Sequence, residues 1–165
     1  MTKTAIRERH ADDLQECVKS LHQVHLADGY PMVWPRDPIH WLSPAQARHA
    51  WVAVADDGDR PGSSSPAGVL GHVLLCATAS PRILEIARLF VPPAARGLGL
   101  GAALIEHAGV RAAQLDCDLE LEVVADERSH AIALYERTGW RRVGTATAEW
   151  TAPDGGCVQV HRYAR

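Results

Sequence analysis

The segment from residue 83 to residue 102 constrains the fold of this chain more than any other. It reads ILEIARLFVPPAARGLGLGA: an apolar run, two prolines, an arginine, and three alternating glycines that lead into a helical pattern. The apolar run predicts a strand over Leu84–Val91, which the prolines end because proline donates no backbone N–H to a sheet. Glycine permits positive φ, so the N–H groups of residues 97–101 can converge on an anion at the positive end of the next helix. The segment therefore predicts a strand, a phosphate-binding loop and a helix, and hence a phosphorylated ligand.

The rest of the chain alternates between strand and helix patterns. Strands are predicted near residues 4–7, 50–56, 67–78, 119–124, 140–151 and 157–163, and helices from Asp12 to Ala27, over 102–115, and from Ser129 through Tyr135. The polar stretch 56–66 predicts an exposed hairpin tip. The strand-helix-strand step from 84 to 124 requires a parallel crossover, whereas the three strands before that helix are close enough for antiparallel hairpins. At 165 residues, we expect one domain over residues 1–165. Its fold class is α/β, with a mixed, mostly antiparallel sheet of about six or seven strands and about four helices.

Composition excludes several classes of partner. The net charge is −3 and the sequence pI is about 6.3, with no basic stripe for nucleic acid or an anionic membrane. No stretch of about 18 apolar residues could span a bilayer, and the first residues lack an apolar signal core. We therefore expect a cytoplasmic protein without nucleic-acid or membrane partners.

A metal site is not expected either. His22 and His25 lie about one helical turn apart with Asp28 nearby, but no third ligand stands at a diagnostic spacing. Ordinary surface histidines are the simpler interpretation.

Two motifs resemble those of one enzyme family. Arg96, Gly99 and Gly101 fit the pattern Arg/Gln-x-x-Gly-x-Gly/Ala, which is similar to the pyrophosphate loop of the GNAT superfamily of acetyl-coenzyme A-dependent N-acetyltransferases. Residues 134–140, LYERTGW, are similar to the family's second cofactor segment, which usually ends Leu-Tyr-Glu-x-x-Gly-Phe. The resemblance covers residues 67–145 well, and the earlier residues by the expected order of elements. It implies a GNAT-like fold and transfer of an acetyl group from acetyl-coenzyme A to a primary amine of a small molecule or protein, by direct attack in a ternary complex.

The resemblance also implies where the cofactor binds. Backbone groups at the end of the strand would hold the pantetheine arm beside the sheet, and the glycine loop would bind the pyrophosphate. The strand residues are Leu89, Phe90 and Val91, and the loop residues are Arg96, Gly97, Leu98, Gly99, Leu100, Gly101 and Ala102.

Two side chains are candidates for proton transfer. Tyr135 falls on the helix face that should bury against the sheet. The resemblance implies that its hydroxyl protonates the leaving thiolate, and a core tyrosine with a backbone hydrogen bond is the alternative. Glu85 precedes Val91 by six residues, about 20 Å along an ideal strand and on the same face, which places it near the reactive end of an extended pantetheine arm. The family often has a strand glutamate there, so Glu85 is the candidate base, or else an exposed bystander.

The acceptor side is less constrained by the sequence. Three prolines forbid a long helix over residues 28–38, and aromatic loops of this kind often line substrate pockets. Tyr30 and Trp34 are the candidate acceptor contacts, although Trp34 and Trp41 could instead cover the edge of the core. Many family members carry asparagine seven residues before the tyrosine, where this chain has Arg128; this arginine either meets a phosphate or is simply exposed. Whether the protein forms a homodimer is left open.

Two other function classes remain as alternatives. Gly97-x-Gly99-x-x-Ala102 also satisfies the dinucleotide fingerprint Gly-x-Gly-x-x-Gly/Ala of NAD(P)-binding oxidoreductases. That fingerprint follows its strand immediately, whereas residues 92–96 intervene here, and the acid expected at the end of the next strand is replaced by mid-strand glutamates. The oxidoreductase is therefore disfavoured. A coenzyme A-binding sensor without catalysis is the second alternative.

Overall fold

Seven strands form one mixed sheet in the order β1-β2-β3-β4-β5-β7-β6. The computed structural model describes residues 3–55, 68–126 and 129–165. The strands are β1 (Thr4–Glu8), β2 (Ala47–Ala55), β3 (Val69–Ala77), β4 (Ile83–Phe90), β5 (Asp118–Val124), β6 (Arg141–Thr151) and β7 (Cys157–Ala164). The helices are α1 (Leu14–Asp28), α2 (Pro38–Trp41), α3 (Leu100–Gln114) and α4 (His130–Arg137). Neighbouring strands run antiparallel except β4 and β5, which are parallel. The predicted fold class is confirmed, and the predicted hairpin tip at 56–66 lies outside the described residues.

Helix α1 is anchored to the first strand by a charged pair. Arg7 donates two hydrogen bonds to the buried Asp13 carboxylate, at 2.7 and 2.8 Å, and these hold the pKa of Asp13 below its ordinary value. The residue at the N-cap position is Asp13 rather than the predicted Asp12, because residues 11–13 form a 3₁₀ turn first. The helix ends where Gly29 adopts φ 69° and its N–H bonds the His25 carbonyl. The loop after Gly29 therefore leaves α1 at a fixed angle.

The sheet has a helix-covered core on each face. On one face, which we call the α3 side, α3 contributes Leu104, Ile105 and Ala108 to a cluster that also contains Tyr135 of α4. On the other, the α1 side, Leu21 and its neighbours on α1 pack against β2, β3 and the end of β4. Residues of one strand therefore divide between two separate environments.

A bulge in β4 changes which side chains share a face. Leu84 and Ile86 pack on the α3 side, and so does Val91, whereas Phe90 packs on the α1 side. The extra residue lies between the pairs Leu74↔Ala87 and His72↔Phe90, where Arg88 has φ 51°. The prediction that Glu85 and Val91 lie on the same face is therefore wrong, because it assumed an uninterrupted strand.

The parallel strands β4 and β5 pair over a short length. Ile83–Glu85 pair with Asp118–Glu120, yet β4 continues to Phe90 and β5 to Val124. Beyond the pair Glu85↔Glu120 the facing edges separate, and we call this gap, between residues 86–90 and 121–124, the wedge. Because the strands are parallel, the loops that follow both of them lie at its open end. The fold therefore opens a cleft where the glycine loop begins.

Candidate active site

The glycine loop presents free backbone donors at the start of α3. Gly97 and Gly99 adopt φ 80° and 72°, and α3 begins at Leu100. Within the described ranges, the N–H groups of residues 97–99 donate to no other residue. The first N–H groups of any helix also lack partners within that helix. Together these donors fit the predicted anion, because the positive end of the α3 dipole adds to them.

Arg96 ties this loop to α1. Its guanidinium donates two hydrogen bonds to the Asp28 carboxylate, and its Nε donates to the Val91 carbonyl at 3.3 Å. The Arg96 side chain is 38% exposed. The arginine of the predicted cofactor motif is thus paired with the last residue of α1.

Gly101 serves helix packing rather than backbone flexibility. A Cβ atom at this position would lie 3.0 Å from Leu134 Cδ2, whereas at Gly97 and Gly99 nothing lies within 4 Å. Gly101 therefore lets α3 approach α4 closely, next to Tyr135.

Tyr135 offers a protonated hydroxyl near the wedge. Its ring is 7% exposed and contacts the rings of Trp140 and Tyr163 at centroid distances of 6.1 and 6.2 Å. Burial raises the pKa of Tyr135 well above its usual value, so the phenol stays protonated near neutral pH. No described residue makes a hydrogen bond to the hydroxyl, so the alternative of a core tyrosine bonded to the backbone has no support in the described chain.

Glu85 lies at the closed end of the wedge among other carboxylates. Burial raises the pKa of Glu85, and the charges of Glu122 and then Glu120 raise it further. Arg162 lies 3.8 Å from the carboxylate of Glu120 and 3.5 Å from that of Glu122. In the described chain, Glu85 itself makes no ion pair. A half-buried carboxylate with a raised pKa is better suited than an ordinary glutamate to take up a proton.

Tyr30 packs on the α1 side of the sheet, the face opposite to that of Tyr135. Burial raises its pKa to about 12, and the charges of Arg88 and Glu85 also act on it. Tyr30 in turn influences the pKa of Tyr135. The charge of Glu85 therefore acts on Tyr30, and Tyr30 acts on Tyr135, although Tyr30 and Tyr135 pack on opposite faces of the sheet.

Trp34 packs against the same α1-side cluster as Tyr30 and Trp41, as the alternative of a cover for the core predicted. Its ring packs against His22 and His25 of α1 at 5.1 and 5.3 Å, and His25 Nδ1 is 2.7 Å from the Pro31 carbonyl. A contact between Trp34 and the acceptor stays a prediction. Arg128 lies outside the described residues.

Sequence reasoning missed Arg88 and Trp41. The Arg88 guanidinium lies 3.9 Å above the Trp41 ring, and that ring meets Tyr30 at 6.1 Å. One signal was present: in an unbroken strand, positions 84, 86, 88 and 90 would share a face, and Arg88 is the polar exception among them.

Comparison with known proteins adds the family. The model of the acetyltransferase (GNAT) family matches residues 13–140. A search of curated proteins found no significant match. NAA60 from Arabidopsis thaliana, in complex with a bisubstrate analogue, is 20% identical, with TM-score 0.74 over 99% of this chain and 97% of that one. The ribosomal-protein-S18-alanine N-acetyltransferase from Escherichia coli is 18% identical, with TM-score 0.69 over 98% and 92%. A GCN5-related N-acetyltransferase from Kribbella flavida is 21% identical, with TM-score 0.68 over 98% and 96%.

The family match covers most of the chain, including the glycine loop and Tyr135. None of the helices in the described residues is both long and apolar enough to cross a membrane. The free N–H donors of the loop, the wedge and the family match all favour a GNAT acetyltransferase over an NAD(P)-binding oxidoreductase. The chain belongs to the GNAT family of acetyltransferases and is a GNAT-type acyltransferase.

Proposed function

We propose that this protein transfers an acetyl group from acetyl-coenzyme A to a primary amine by direct attack in a ternary complex. The observation that carries the proposal is the wedge between β4 and β5. It opens beside a loop with free N–H donors, and Glu85 lies at its closed end.

The donor would lie along the edge of β4. The N–H groups of Gly97, Leu98 and Gly99, with those of Leu100, Gly101 and Ala102 at the start of α3, would bind the pyrophosphate. The backbone of Leu89, Phe90 and Val91 faces the gap left by β5 and would bond the amides of the pantetheine arm. The structure of NAA60 with acetyl-CoA, at 19% identity, supports this fit of the fold to the donor.

Two protons must move. Glu85, directly or through water, would take a proton from the ammonium group of the acceptor, so that the free amine can attack the thioester carbon. As the C–N bond forms and the C–S bond breaks, the Tyr135 hydroxyl would donate its proton to the departing thiolate. The acceptor nitrogen would lose its second proton as the amide forms, and this proton, passed through water, would restore the Tyr135 hydroxyl. The raised pKa of each group favours this division, because Glu85 gains basicity while Tyr135 stays protonated.

The test separates a catalyst from a binding module. Acetyl-coenzyme A at roughly 100 times its Kd should stabilise the folded protein by about 2.7 kcal/mol, whereas NADH should not. A panel of amines should then release free thiol. In Tyr135→Phe, kcat should fall about 100-fold or more with unchanged donor affinity, because only the transition state uses the proton.

Tyr163→Phe is the matched control. Its hydroxyl donates to Glu136 at 3.0 Å, so this variant should keep the wild-type kcat. Donor binding without thiol release from any amine would leave a coenzyme A sensor, and stabilisation by NADH alone would contradict the proposal.

A further inference from the structure

The backbone of Arg88 is held in place by a buried histidine. Positive φ is uncommon for a residue with a side chain, and it persists where surrounding contacts fix it. His72 is fully buried, stacks on Phe90 at 5.0 Å, and has Nδ1 at 2.9 Å from the Arg88 carbonyl. Burial lowers the pKa of His72 to about 3, so it is neutral: Nδ1–H donates to Arg88, and Nε2 accepts from Arg9 at 2.9 Å. The bulge at Arg88 is therefore fixed by a hydrogen-bond network that runs through His72 to Arg9.

The side chain of Arg88 is also fixed. Its guanidinium lies 3.9 Å from the centre of the Trp41 ring, and its Nε donates to the Trp41 carbonyl at 3.4 Å. Trp41 itself is held against Tyr30. These contacts fix the guanidinium beside Trp41 on the α1 side of the sheet and leave its terminal N–H groups without a hydrogen bond to any described residue.

The guanidinium forms no direct ion pair in the described part of the chain, although its charge acts on the nearby Glu85 and offsets part of the rise in the pKa of that carboxyl. Asp28 pairs with Arg96, and the glutamates of β5 pair with Arg162. A half-buried guanidinium without a direct ion pair keeps part of its desolvation cost, and its planar fork of free N–H groups matches a carboxylate geometrically. The missing partner is therefore expected to arrive with a ligand.

We propose that the acceptor is a small amino acid-type molecule whose carboxylate binds Arg88 while its amine lies at Glu85. This inference rests on the proposed acetyl transfer. Residues 85 and 88 lie about 10 Å apart or less along the strand, so both groups fit within one small molecule. The three glutamates nearby disfavour a more highly charged anion such as phosphate. An N-terminal amine of a protein carries no carboxylate beside it and would leave Arg88 unpaired.

The test compares each L-amino acid with its carboxamide, which keeps the amine and removes the negative charge. With acetyl-coenzyme A as donor, kcat/KM for the best amino acid should exceed that for its carboxamide by about tenfold or more, as expected for a charge-assisted hydrogen bond. Arg88→Gln should abolish this preference, which is taken as the ratio of the two rates within each variant because Arg88 also acts on the pKa of Glu85. Arg88→Lys, which keeps the charge without the planar fork, should retain part of it.

Arg82→Gln is the matched control. Arg82 is 73% exposed in its side chain, pairs with Asp116, and lies before β4 begins, so the preference should be unchanged. Thermal melting of all variants checks that they fold. If Arg88→Gln does not fold, Arg88→Lys is compared with the wild type instead.

Two outcomes would overturn the inference: equal rates for amino acids and carboxamides in the wild type, or an undiminished preference in Arg88→Gln. If carboxamides and simple amines release no thiol either, the proposed acetyl transfer itself has failed. Calorimetry of the same panel then still decides the role of Arg88. Binding that requires both the carboxylate and Arg88 supports it, and any other result rejects it.

Discussion

Glu85 shows how one residue is tuned by its position. Its strand neighbour across the sheet is Glu120, and both lie where β4 and β5 last pair. Three carboxylates close together cannot all be ionised without a cost, and Arg162 relieves two of them. Burial raises the pKa of Glu85 most, the charges of Glu122 and Glu120 raise it further, and Arg88 and Arg162 offset part of the rise.

Replacing Glu85 by glutamine should lower activity and raise stability at neutral pH. The pKa of Glu85 is higher in the folded than in the unfolded chain, so its ionisation costs stability only as the pH rises above the unfolded value, near about 4.3. Glu85→Gln should therefore melt at a higher temperature than the wild type at pH 7, and the difference should vanish near pH 4. Its rate at neutral pH should fall, with partial recovery as the pH rises and free amine becomes abundant.

Glu149→Gln, at an exposed site on β6, controls for the loss of one charge. Equal pH-rate profiles for wild type and Glu85→Gln, measured on one amine, would make Glu85 a bystander.

At this scale the sequence identified Glu85, Tyr30 and Tyr135 individually, and the resemblance to the family implied that Glu85 and Tyr135 act at the same thioester. Their proximity depends on how far two strands separate, which no local pattern encodes. Arg88 was missed because a bulge shifts β4 by one residue, and a one-residue shift moves each following side chain to the other face. Trp41 was considered only as a cover for the edge of the core.

At the scale of the element, the glycine loop is where sequence reasoning was most successful. The expected strand, turn and helix are all present, with boundaries shifted by one or two residues. The three glycines nevertheless differ in role, since Gly97 and Gly99 take positive φ while Gly101 makes room for α4. Spacing alone could not separate these roles, because the second depends on a helix that is distant in sequence.

Gly99→Val should weaken donor binding by at least tenfold with the fold retained. Valine at φ 72° is strained, and its branches would cover N–H groups that the pyrophosphate needs, although nothing lies within 4 Å of the site to clash with. Calorimetry with coenzyme A measures the affinity, and circular dichroism checks the fold. Gly144→Val is the control, since that glycine also has open space around it but lies on β6 with no positive φ. Unchanged affinity in Gly99→Val would place the phosphate site elsewhere.

At the scale of the whole molecule, the order of elements was sufficient to predict a mixed α/β sheet with one parallel crossover. The depth of the wedge was not predictable, because the residues of β4 and β5 are equally suited to pairing along their full length. What ends their pairing is tertiary: the bulge at Arg88 turns the end of β4, while β5 continues beside β7 through Val124.

Amide hydrogen exchange should reveal this interruption. Amides of residues 86–90 that point toward β5 should exchange faster than those of Ile83–Glu85, and coenzyme A should slow them while amides of β1 and β2 change little. Uniform protection along β4 without coenzyme A would contradict the open wedge.

The short pairing between β4 and β5 also divides the sheet mechanically. Strands β1–β4 form one continuous hydrogen-bonded panel and β5–β7 another, and three residue pairs form the seam between them. The apolar cluster on the α3 side crosses the seam, so the panels are held together by contacts that tolerate small rotations better than hydrogen bonds do. A donor bound along β4 would take the place of the hydrogen bonds that are missing between β4 and β5. Separation of the two panels would then become a more cooperative event.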